Sequence, residues 1–134
     1  MTPGERFASA RVARLATVGP DGAPHLVPIV FAVVGEVIHT AVDAKPKRTR
    51  RLRRLANIAG NPTVSVLADH YDDGDWSRLW WVRADGTAVV SDRSDSGAAA
   101  LVAKYPQYRA EPPAGPYLTI TVRRWTAWVS DRHE

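Results

Sequence analysis

Apolar and polar positions alternate along much of this chain, and the alternation breaks at clusters of turn-forming residues. RVARLATV (11–18) carries apolar Val12, Leu15 and Val18 and predicts a strand. GPDGAP (19–24) is turn chemistry. HLVPIVFAVVG (25–35) and EVIHTAV (36–42) are β-branched runs meeting at Gly35-Glu36, which predicts a hairpin. Pro28 cannot donate to a ladder, so its run is expected at a sheet edge or a bulge. PTVSVLADHY (62–71) predicts a strand and DDGDW a loop. RLWWVRADGTAVVS (78–91) predicts a strand pair or one bent strand, with Asp85-Gly86 at the bend. In YLTITVRRWTAWVS (117–130), Leu118, Ile120 and Val122 fall on one face of a strand.

The helical signals are shorter. TPGERFASA begins with a capping box, Thr2 with Glu5, and has Pro3 in its first turn. SDSGAAALVAKY (94–105) predicts a helix capped by Ser94, and PQYRAEPPAGP (106–116) a Pro-rich loop. Roughly six strands with short connections and three short helices predict an antiparallel barrel or sandwich with helices at its side. The 134 residues are expected to form one domain, 1–134.

One segment departs from this rhythm. In DAKPKRTRRLRRLANIAGNP (43–62), seven of the ten residues from Lys45 to Arg54 are basic. At about 100° per residue, Leu52, Leu55, Ala56 and Ala59 share one side of a helix, with Ile58 at its edge. Arg50, Arg53, Arg54 and Asn57 share the other. A disordered basic tail does not order its apolar residues in this way. Lys45, Lys47 and Arg48 fall at the helix start, where free N–H groups and the dipole already favour an anion. Cations there oppose the dipole, and a bound anion relieves that cost.

Charge sharpens the point. The formal net charge is +4, yet outside Lys45–Arg54 there are 11 bases against 14 acids. The basic character is therefore one site and not the whole surface. A nucleic-acid-binding domain using the arginine helix is an alternative, but the acidic remainder counts against it. There is no cysteine, which excludes disulfides and thiolate metal sites. The first 18 residues lack the apolar core of a leader peptide, and no window approaches a membrane span. A soluble, cytoplasmic protein with no membrane partner is expected.

Other chemistry is thinly supported. His25, His39, His70 and His133 have no metal-ligand spacing. Asp69, Asp72, Asp73 and Asp75 around His70 read as a solvated acidic loop more readily than as a cation site. Ser65, Ser77 and Ser91 lack a nucleophile-elbow context, and no G-x-G-x-x-G is present. Trp80 and Trp81 are expected on opposite strand faces, one in the core or an interface and one against a pocket. Tyr105, Tyr108 and Arg109 are candidates for the substrate side, with a structural role the plainer reading.

The series ARLATVGPDGAPHLVPIVFAVVGEVIHTAV, then DAKPKRTRRLRRLANIAGNPTVSVLAD, then WWVRADGTAVV resembles the pyridoxamine 5′-phosphate oxidase-like split-barrel proteins. Within them it resembles the small actinobacterial branch that uses the deazaflavin coenzyme F420. The likeness runs over residues 7–91 and on toward the C-terminus. It implies a six-stranded antiparallel split β-barrel of Greek-key type with flanking helices. It also implies a homodimer with a flavin-type cofactor at the subunit interface. By position, Lys45, Lys47, Arg48 and Arg51 would hold the cofactor phosphate. Val27, Pro28 and Ile29 would lie along the ring through backbone contacts, and Thr40 would add a hydrogen bond. The implied activity is an F420-dependent oxidoreductase passing hydride to a small electron-poor substrate, with no catalytic side chain and no metal. FMN is the alternative cofactor, and a flavin- or heme-binding module without turnover the alternative role. The helix before Asn61-Pro62 is longer than the family pattern and richer in arginine. That makes Arg50, Arg53 and Arg54 candidates for the oligoglutamate tail of F420, which FMN lacks.

Overall fold

The computed structural model describes residues 1–42 and 49–130, with the backbone alone at 49–52. Seven strands form one antiparallel sheet: β1 (Ala13–Val18), β2 (Pro24–Ile29), β3 (Ala32–Val34), β4 (Val37–Ala41), β5 (Thr63–His70), β6 (Trp80–Ser91) and β7 (Tyr117–Val129). Helices α1 (Pro3–Ala8), α2 (Thr49–Gly60), α3 (Asp95–Lys104) and α4 (Pro106–Ala110) flank it. The spatial order is β2-β1-β5-β6-β7-β4-β3. Its two outer members are consecutive in the chain, joined by Val30 and Phe31 alone. The sheet must therefore curl until its edges approach, which is a split barrel with flanking helices. The core fills it: Leu15, Phe31, Ile38, Val66, Val82 and Ile120 are fully buried.

The strand count exceeds the expected six because the 25–35 run breaks at Val30-Phe31. The Phe31 N–H donates to the Tyr105 hydroxyl (3.1 Å), and that hydroxyl in turn lies 2.9 Å from both Phe31 O and Arg11 O. A side chain from the end of α3 thus replaces the ladder where β2 becomes β3. The single bent strand is the form that 78–91 takes. β6 shifts register against β7 between Asp85 and Gly86. A Cβ on Gly86 would stand 2.1 Å from Thr121 O, so no larger residue fits this close approach. Gly35, with φ 61°, opens the two-residue turn between β3 and β4.

Three expectations change. Residues 106–110 are a one-turn helix with Pro106 at its start, and not part of a loop. In β1, Ala13, Leu15 and Thr17 face inward while Val12, just ahead of the strand, is exposed. In α2, Asn57 and Ile58 are buried, Leu55 and Arg54 are half-buried, and Ala56 and Ala59 are exposed. The helix is rotated because the Asn57 amide donates to the Thr17 hydroxyl (3.1 Å), a buried tertiary bond that outweighs two small alanines.

His39 is buried, and burial holds its pKa below the ordinary 6.5. His25 is also lowered, first by burial and then by the charges of Arg53 and Arg54. Below pH 6.5 the unfolded chain binds protons that the folded chain does not, so stability is full above that value and falls beneath it. The urea midpoint is expected to fall between pH 7 and about pH 5.5. The fall should be smaller in His39→Gln.

Candidate functional site

Where β2 ends and β4 runs alongside, a cleft of about 300 Å³ opens, lined by Val12, Pro28, Ile29, Val30, Thr40, Ala41, Arg54 and Tyr108. Each wall has a local cause. Pro28 points outward and Ile29 inward, as period-two alternation requires. Within the sheet, β2 pairs with β1 alone, so its other edge carries backbone groups outside any ladder. Thr40 is 2% exposed, and its hydroxyl donates to Val30 O at 2.7 Å, binding the two sides of the split together. The oxygen of that hydroxyl keeps its lone pairs for a further donor.

Arg54 enters from the buried side of α2, and Tyr108 from α4 packs edge-on against Tyr105 (6.0 Å). Behind them, Lys104 Nζ donates to Ala8 O (3.1 Å) and Ala10 O (2.7 Å) and sits 3.8 Å above the Phe31 ring. Burial, with the Arg11 charge second, lowers its pKa to about 8. The arrangement ties the end of α1 to the split.

The cleft brings together Pro28, Ile29 and Thr40. Val27 shares the inward face of Ile29 but is not among the lining residues; its side chain packs against the core, so it has only its backbone to offer at the edge. Lys45, Lys47 and Arg48 lie outside the described residues, as do the side chains of Arg50 and Arg51. Arg53 is exposed. Tyr108 and Arg54 reach the cleft, whereas Tyr105 works in the fold and Arg109 is not among the lining residues. Sequence reading missed Val12, Val30 and Ala41 as walls. Only the closing of the split sets them together.

The donor set fits a planar, largely apolar ring with an anionic tail. Pro28, Ile29, Val30 and Ala41 give apolar wall, Tyr108 an aromatic ring and Arg54 a guanidinium. No group of three or more metal-ligating side chains occurs among the described residues. In the acidic loop, Asp72 accepts from Gly74 N and pairs with Arg78, Asp73 accepts from Tyr71, and Asp75 caps the 3-10 turn Trp76–Arg78.

A second, larger cleft of about 750 Å³ lies on the outer sheet face, where Leu26, Leu67, Trp81 and Trp128 are among its walls. Leu26 is 66% exposed and Trp128 45%. No helix among the described residues is long and apolar enough to cross a membrane.

Residues 5–129 match the family model described as "Pyridoxamine 5'-phosphate oxidase". A search of curated proteins found no match. Among solved structures, a conserved hypothetical protein from Mycobacterium tuberculosis is 24% identical with a TM-score of 0.71, covering 98% of this chain and 86% of its own. An FAD-binding protein from Mesorhizobium loti is 19% identical (TM-score 0.65; 92% and 88% covered). An FAD-binding protein from Mycobacterium smegmatis is 21% identical (TM-score 0.62; 92% and 88% covered).

Proposed function

Because this chain belongs to the pyridoxamine 5′-phosphate oxidase family, we propose that it binds a flavin-type cofactor in the cleft at the split and acts as an oxidoreductase. The observation that carries the proposal is the cleft itself. It sets the free edge of β2 at Pro28–Ile29 against Thr40, with a guanidinium from α2 in the lining. About 300 Å³ suits a ring system and not a whole cofactor. The phosphate therefore extends toward the start of α2, where Lys45, Lys47, Arg48 and Arg51 hold it. The ring stacks along Val27–Ile29 through backbone contacts and takes a hydrogen bond at Thr40 Oγ1.

We favour coenzyme F420 over FMN. Arg50, Arg53 and Arg54 continue the positive charge beyond what a single phosphate needs, and an oligoglutamate tail uses it. The chemistry supplied by the bound group is hydride transfer to a small electron-poor acceptor. The chain's own residues bind and orient the ring, and the apolar walls exclude water from it. No side chain is assigned a proton-transfer step.

A homodimer completes the proposal. An apolar outer face around Leu26, Leu67, Trp81 and Trp128 is open to solvent, and a second copy covers it with the cofactor at the interface. Leu26→Glu with Trp128→Glu should convert the dimer to a monomer in light scattering. A wild-type monomer at micromolar concentration would contradict this.

Titrating the apo protein with oxidised F420 and with FMN, followed by Trp fluorescence, tests the cofactor. Micromolar F420 affinity, at least about tenfold tighter than FMN, is expected. Tighter FMN binding would assign the protein to the flavin branch, and binding of neither would overturn the reading.

A further inference from the structure

A third cleft, of about 580 Å³, adjoins the ring cleft at Val12, and none of its described lining residues belongs to α2. Four arginines line it: Arg6 from α1, Arg11 ahead of β1, Arg14 from β1 and Arg78 from the 3-10 turn. They lie 72 residues apart in the chain at the extremes, so no linear motif announces them. This is a concentration of positive charge in the part of the protein whose overall balance is acidic.

The carboxylates nearby do not neutralise it. Asp69 lines the cleft and pairs with Arg14 (3.4 Å), while Asp72 pairs with Arg78 (3.2 Å) from outside the lining. Arg6 and Arg11 have no carboxylate partner among the described residues. Each is instead held by an aromatic face: Arg6 lies 5.8 Å from the Trp80 ring centre and Arg11 4.9 Å from that of Tyr105. Arg11 also donates to Lys104 O at 3.2 Å, and Lys104 itself is pushed toward neutrality, partly by Arg11. Guanidiniums seated on rings keep most of their donors directed outward and lose less freedom when they bind. Two such cations without counter-charge, in a concave site, leave room for two negative charges.

We propose that this cleft is a second anion-binding site, distinct from the phosphate cradle at α2, that takes a small dianion. Arg6 and Arg11 are its main ligands, with Arg14 and Arg78 reinforcing the field. The shared chemistry is a doubly charged oxyanion, which a phosphate monoester or a dicarboxylate supplies. The proposal does not depend on the cofactor reading.

The test uses the full chain carrying Lys47→Ala and Arg48→Ala, so that the other basic site is disabled. Inorganic phosphate and succinate are titrated separately at constant ionic strength by calorimetry. Saturable binding of at least one is expected, and the better of the two names the source. Adding Arg6→Gln and Arg11→Gln should weaken it at least about tenfold. Ser9→Asp, which sets a carboxylate in the lining without removing any ring contact, should weaken it as well. Near-UV circular dichroism reports that each variant is folded. Should neither probe bind, or should affinity be unchanged in the folded Arg6/Arg11 and Ser9 variants, the site does not exist.

Discussion

Gly86→Ala is expected to destabilise the protein severely. β6 bends at Asp85-Gly86, and β7 crosses so closely that the new Cβ would meet Thr121 O at 2.1 Å, with Thr121 C and Val122 Cα at 3.0 and 3.2 Å. The obstacle is backbone, which cannot swing aside as a side-chain tip does. Relief requires the two longest strands to separate where they carry the core on Ala84, Ala88, Ile120 and Val122. A cost of about 3 kcal/mol or more follows from overpacking of this kind, against a typical total of about 5–15 kcal/mol for a domain. The melting temperature should fall by about 10 °C or more. A fall of less than about 3 °C, with an intact near-UV spectrum, would show that the bend tolerates a side chain.

Lys47→Ala with Arg48→Ala is expected to have the largest effect on ligand binding. Each cation is assigned a charge-assisted bond to the cofactor phosphate, worth about 1.5–3 kcal/mol when the partner is charged. Losing both should weaken cofactor binding about 100-fold or more, since about 1.4 kcal/mol is a factor of ten. Thermal stability should be unchanged or slightly higher, because like charges at a helix start are removed. Rising salt should weaken wild-type binding more steeply than binding to the variant. An affinity within about threefold of wild type would remove these residues from the cofactor site.

The two predictions differ in how far the sequence alone supports them. The bend was legible because Asp85-Gly86, a turn-forming pair, interrupts a run rich in aromatic and β-branched residues. The caps were legible for the same local reason: Thr2 with Glu5, and Ser94 with Gly97 N, satisfy helix N–H groups within three residues. The facing of Leu118, Ile120 and Val122 follows from period two, and all three are buried. What depends on distant partners was not legible. Asn57 was expected among the arginines of its helix, yet it turns inward because Thr17, 40 residues away, offers a buried hydroxyl. The break at Val30-Phe31 needs Tyr105, 74 residues away, to supply its hydrogen bonds. The split barrel was therefore recognisable as a class, while its seventh strand was not.

The same division runs through the site. Pro28, Ile29 and Thr40 were named by position, and they meet at one cleft because the end of β4 runs past the short edge strand β3 and reaches the end of β2. Val27, on the same strand face as Ile29, packs its side chain against the core and does not line the cleft. The four arginines of the third cleft come from α1, its link to β1, β1 itself and the turn before β6. Their convergence is a property of the curled sheet and is invisible in charge counts along the chain.

A crystal structure of the protein with its cofactor tests the central claim most directly. The ring is expected between Pro28–Val30 and Thr40, its phosphate toward the start of α2, and a second subunit closing the open side. Cofactor density away from the split at Pro28–Val30 and Thr40, or none at a saturating concentration that shifts the melting temperature, would contradict the account.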